Sequence, residues 1–154
     1  MTWFKQKTRV ADWQLRLNAV FTKYEFSEFK WGHTDCFCFA SDCIKAMTNY
    51  GPMDGFKGLY GTETEANALL QNGGVGIDNN FYRYNGVIGF WSAFLGAPKN
   101  IGGAMVGDIV LTHIPKHDLI AGVVNDTGRF IYLKSLGQDL IEVPIQRTRY
   151  IWGV

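Results

Sequence analysis

Long apolar runs are missing from this sequence. The longest, Leu119-Ile120-Ala121-Gly122-Val123-Val124, falls far short of the ~20 residues that cross a bilayer, which excludes a helical membrane span. The N-terminal Met1-Thr2-Trp3-Phe4-Lys5-Gln6-Lys7 carries no apolar segment of the secretory kind, so synthesis and retention in the cytoplasm are expected. An excess of one charge is missing too: 15 basic and 14 acidic residues leave a formal charge of +1, no footprint for nucleic acid or an anionic membrane. Cysteine is scarce and odd in number, three residues at 36, 38 and 43. On one helix Cys36 and Cys43 would stand roughly 10 Å apart, beyond disulfide reach. The C-x-C-x4-C spacing has no fourth cysteine for a zinc or iron–sulfur site, so no metal or other cofactor is expected, and Cys38 and Cys43 read as small packing residues. HExxH, Walker and G-x-S-x-G elements are absent.

What is present is a large apolar inventory, 47% of 154 residues with 15% aromatic, ample for the core of one domain spanning 1–154. Val10, Trp13, Leu17, Val20, Phe21 and Tyr24 recur at spacings of three and four and predict a core-facing helix over residues 10–24. A second helix is expected from an N-cap at Thr34 or Asp35 to about residue 50, where Gly51-Pro52 stops it. Its inward face would be Cys36, Phe39, Ala40, Cys43, Ile44 and Met47, with Cys38 toward Asp42 and Lys45. Thr62-Glu63-Thr64-Glu65 has the form of a capping box opening a third helix that ends at Asn72-Gly73-Gly74. A short helix is possible over 88–95. Strands follow at 106–111, 119–125, 129–134 and 140–145, so helices precede an antiparallel meander: an α+β layout.

This places Cys36 at the first turn of a helix, where unpaired N–H groups and the helix dipole favour thiolate and make a candidate nucleophile. Asp35 opposes that tendency, since a neighbouring carboxylate favours the protonated thiol. A base must come within about 3 Å of the sulfur. The candidates are His33, three residues earlier, and His113 and His117, which flank Pro115 in a loop between strands. Tyr60, Asp108 and Asp118 are candidates to orient such a histidine, although the turn that launches a strand explains Asp108 more simply.

The element Trp31-Gly32-His33-Thr34-Asp35-Cys36 resembles the aromatic-Gly…Asp-Cys element of the NlpC/P60 superfamily of bacterial and phage cell-wall peptidases. Gly107-Asp108-Ile109-Val110-Leu111 resembles its Gly-Asp-hydrophobic strand. The resemblance implies a papain-like fold, N-terminal helices on a small antiparallel sheet or half-barrel. Aligned on Gly122, the catalytic histidine of those enzymes falls at Ile120, which cannot take a proton. Over about 140 residues the chain also resembles a phage tail-module family known as a domain of unknown function, through Trp13, the Trp-Gly-x-x-Asp-Cys element, Phe39-Ala40, Asp42, Gly58, Tyr60, Gly73-Gly74, Gly107-Asp108, Ala121-Gly122-Val123, Leu136-Gly137, Pro144 and Trp152.

That resemblance implies a structural component of a phage tail tip or baseplate, made in the host cytoplasm and carried in the virion tail. Its partners would be hub and tip-attachment proteins, its hydrolase dyad lost. Trp3, Phe4, Tyr82, Tyr84 and Trp152, near termini or loops, are expected in such an interface. The alternative is an active peptidoglycan amidase or endopeptidase with Cys36 as nucleophile.

Overall fold

The computed structural model describes residues 8–72, 74–75, 81–82, 85–114, 119–136 and 139–154, and the side chains of all but 74–75 and 81–82 among them. Among these, four helices pack against a five-stranded antiparallel sheet, the expected α+β layout. The elements are α1 (Trp13–Glu25), α2 (Cys36–Thr48), α3 (Glu63–Asn72), a two-stranded ribbon of β1 (Gly74–Val75) and β2 (Phe81–Tyr82), and α4 (Val87–Leu95). Then come β3 (Ile109–His113), β4 (Leu119–Val124), β5 (Phe130–Lys134), β6 (Leu140–Pro144) and β7 (Thr148–Trp152).

Helix α1 begins three residues later than the periodicity predicts, because Val10 donates its N–H to the Met47 carbonyl at the end of α2 and is held as a tether. Its buried stripe is Leu17, Phe21 and Tyr24. Helix α2 starts as expected at Cys36, with Asp35 in extended conformation as N-cap. It ends at Asn49, before the Gly51-Pro52 stop, because Asn49 takes a left-handed conformation (φ 69°) and returns its N–H to the Lys45 carbonyl. The helix lies at the centre of the molecule, so nearly all of its surface is covered. Cys38 is therefore as fully buried as Cys43, as expected of two small packing residues. The capping box of α3 forms: Glu65 N–H donates to Thr62 Oγ1 at 3.1 Å, and the Glu65 carboxylate accepts the Gly61 N–H at 2.9 Å.

The sheet order is β6-β5-β4-β3-β7. Strands β3 to β6 form the predicted meander, while β7 was not foreseen. After Pro144 a turn of 3-10 helix, Ile145–Arg147, carries the chain back to pair β7 with the free side of β3, Ile109 opposite Trp152 and Val110 opposite Ile151. Strand β3 starts at Ile109 rather than 106 because Gly107 and Asp108 form a cap, exchanging backbone hydrogen bonds with Val124 at 2.9 Å each. One face of the sheet, with Leu111, Ala121 and Val123, packs on the helices; the other gathers Val110, Val124, Ile131, Leu133 and Ile151 into a second core.

Trp152 corrects the interface expectation for its residue. It is completely buried in β7, its indole N–H donating to Ser92 Oγ at 3.2 Å. Trp3, Phe4, Tyr84 and the Tyr82 side chain lie outside the described residues.

Candidate functional site

The site is built on the first turn of α2, where it faces β4 and the end of β5. Gly32 allows the chain to enter this turn: its φ is +80°, and a Cβ there would stand 2.2 Å from the Tyr60 carbonyl oxygen. The next constraint is Asp35, completely buried. Its carboxylate accepts three hydrogen bonds, from Gly32 N–H at 2.7 Å, Cys38 N–H at 2.9 Å and Tyr60 O–H at 2.6 Å. It ties the preceding loop, the helix start and the segment before α3 into one unit. Cys38 Sγ lies 3.6 Å from the same Tyr60 hydroxyl.

Cys36 follows Asp35 and is 6% exposed, at the floor of a cavity of about 60 Å³. Phe29, Trp31, Phe37, Leu119, Ile120 and Leu136 supply apolar walls; Glu63, Asn67, Lys134 and Ser135 supply the polar ones. Burial first, and the Asp35 carboxylate second, push the Cys36 thiol far above its ordinary range. The backbone N–H groups of Ala121 and Phe37 work in the opposite direction without reversing it. Burial and Asp35 likewise push Cys38 up to about 12, and burial with Asp42 raises Cys43. All three cysteines are free and buried, and among the described residues no group of histidine, cysteine and carboxylate side chains is arranged to hold a metal ion.

Of the candidate bases, neither His33 nor His113 lines the Cys36 cavity. His33 is exposed in the turn before α2, with its ring beside Gly58. His113 is exposed at the end of β3, opposite Leu119, and lines an adjoining groove that shares Phe37, Asn67 and Leu119 with the Cys36 cavity. His117 and Asp118 lie outside the described residues. Ile120, at the position aligned with the peptidase histidine, does line the Cys36 cavity. Among the described residues, no histidine contributes to the electrostatics of the thiol.

Tyr60 and Asp108, two of the residues proposed to orient a histidine, have other partners. Tyr60 donates to Asp35. Asp108, buried, accepts the Met105 N–H at 2.8 Å and pairs with Lys99 at 2.6 Å and Arg9 at 3.7 Å, closing the turn before β3.

Lys134 escaped the sequence reading. It is buried in the cavity wall, its ammonium donating to the carbonyls of Tyr24, at 2.8 Å, and Ser27. A cation at these carbonyls satisfies the C-terminal end of α1 and complements its dipole. The signal was a lysine in the apolar run Phe130-Ile131-Tyr132-Leu133.

Chemically, then, this is a buried cysteine at a helix start, favoured in its protonated form by burial and by Asp35, in a cavity of mixed apolar and polar lining. Comparison with curated proteins returns no match, and comparison with solved structures returns none. Residues 8–154 match a family model described as a domain of unknown function, DUF6950, and with nearly its whole length covered the chain belongs to that family.

Proposed function

We propose that this chain is a structural component of a phage tail tip or baseplate, a catalytically degenerate relative of the NlpC/P60 peptidases that docks on tail hub proteins. The observation that carries the reading is the wall of the Cys36 cavity. The first turn of α2 packs against β4, and Ile120, the residue that the sequence resemblance aligns with the peptidase histidine, lines the cavity over Cys36. Without a base, the helix dipole contributes about 1 kcal/mol or less toward the thiolate, and burial together with Asp35 outweighs it. The residues that carry the resemblance also have structural roles: Gly32 and Asp35 hold the entry to α2, and Asp108 closes a turn.

One feature favours the second reading, an active peptidoglycan amidase or endopeptidase. The cavity over Cys36 includes Glu63, Asn67 and Ser135, polar groups suited to holding an amide. Two measurements on the full chain separate the readings. Co-expression with the hub and tip-attachment proteins followed by size-exclusion chromatography is expected to give a stable complex burying more than about 1,000 Å². Incubation with purified peptidoglycan is expected to release no muropeptides. A chain that stays monomeric with every tail partner and releases muropeptides in a Cys36-dependent way establishes the enzyme instead.

A further inference from the structure

The even charge balance of the sequence is not even on the surface. Around the C-terminal end of α1 and the edge strand β6, five exposed carboxylates form two groups: Glu28 and Asp139 line one groove, while Glu25, Asp126 and Glu142 surround Tyr132 beside a second. None of the five takes part in an ion pair among the described residues, although Glu142 accepts a hydrogen bond from the Asn125 side-chain amide at 3.0 Å, whereas Asp12, Asp42, Asp54 and Asp108 all form ion pairs. Of the cations nearby, the Lys134 ammonium is buried on backbone carbonyls, where Asp139 acts on it electrostatically, and Lys23 lies 3.8 Å from Asp42. Arg129 stands at the opposite, Pro144 end of β6, where its carbonyl accepts the Ile145 N–H.

Apolar surface runs through the same region. Phe26, the residue after α1, is 81% exposed, and Leu136, between β5 and β6, is 61% exposed. With Ile141 of β6 they line one groove, and Glu28 and Asp139 line it too. Strand β6 is the last of the sheet, so its outer backbone groups have no neighbouring strand.

From this arrangement we infer that the β6 edge is a docking site for an extended segment of another protein that alternates apolar residues with Lys or Arg. The edge supplies backbone hydrogen bonds, Phe26, Leu136 and Ile141 take the apolar side chains, and the unpaired carboxylates take the cations. A second copy of this chain is the wrong occupant, because edge-to-edge pairing of two β6 strands would bring Asp139 and Glu142 against their own counterparts. Anionic lipid and nucleic acid are repelled by the same charges. The inference deepens the docking role proposed above by naming the surface and the chemistry of the segment it takes.

The test uses the full chain and a fluorescent twelve-residue peptide alternating Leu or Val with Lys or Arg, and the same peptide with Glu at the cationic positions. Saturable binding is expected for the first peptide only, weakening about tenfold when salt rises from ~50 to ~300 mM. Phe26→Ser, Leu136→Ser and the pair Asp139→Asn with Glu142→Gln are each expected to weaken it about tenfold. All four positions are exposed, so circular dichroism should show an unchanged fold. Hydrogen exchange should slow at 140–143.

Equal binding of the acidic peptide, indifference to every variant, protection elsewhere, or no saturable binding overturns the inference. So does a concentration-dependent dimer lost in Phe26→Ser, which would assign the edge to a second copy. If the tail hub co-elutes equally with wild type and Phe26→Ser and no peptide binds, the inference alone fails. If the peptide binds as expected and no tail protein co-elutes, the docking role alone fails.

Discussion

Replacing Asp35 with alanine removes the acceptor of three hydrogen bonds in a site closed to water. Loss of the N-cap interaction with Cys38 N–H costs about 1 kcal/mol. The Tyr60 hydroxyl, buried and 2.6 Å from the carboxylate, loses its acceptor, and a buried donor stranded in this way costs about 1–3 kcal/mol. Gly32 N–H is stranded as well. These terms are coupled and do not simply add, and together they predict a destabilisation of about 3–5 kcal/mol. That is a large fraction of the roughly 5–15 kcal/mol typical of a domain.

Urea unfolding followed by far-ultraviolet circular dichroism measures the loss, and a double-mutant cycle with Tyr60→Phe identifies its source. Tyr60→Phe should be costly in the wild-type background and much less so beside Asp35→Ala, where the hydroxyl keeps only the weak contact with Cys38 Sγ, giving a coupling of about 1–2 kcal/mol. A loss below about 1 kcal/mol, or additive effects of the two substitutions, would refute the account of Asp35 as the joint between loop, helix and Tyr60.

Thiol reactivity follows from the raised acidities. With Cys38 at about 12, only about one thiol in 10⁴ is ionised at pH 8, and Cys36 is held higher still. Iodoacetamide should therefore label the native chain far more slowly than the urea-unfolded chain, and rapid labelling of native Cys36 at mildly acidic pH would contradict the buried, protonated site. Gly122→Ala should destabilise by about 1–3 kcal/mol, since the new Cβ would lie 2.3 Å from Leu133 Cδ2 and 2.8 Å from the Tyr132 carbonyl oxygen, whereas Gly103→Ala, which meets open space, should be nearly silent in thermal unfolding.

The helices and the central meander were legible because their signals are local. Asp35 ahead of an apolar run, the Thr62–Glu65 capping pair, and apolar residues at helical spacing each act within a few residues of the chain. The position of Cys36 at a helix start was determined by those signals alone. Strand β7 was invisible because its pairing is with β3, about forty residues earlier, and only closure of the sheet selects it. Trp152 shows the same limit: closeness to the C-terminus predicts exposure, yet the return of β7 to the sheet centre buries it completely.

The chemistry of the site and surface was likewise decided in three dimensions. Residue order puts a cysteine at a helix N-terminus, where the dipole favours thiolate; packing against β4 removes water from the sulfur and lets burial and Asp35 dominate. A formal charge of +1 is a sum over the chain and carries no position. Folding pairs one set of carboxylates with lysine and arginine and leaves another gathered beside Phe26 and Leu136, because Coulomb interactions depend on distance in space and not on separation in sequence.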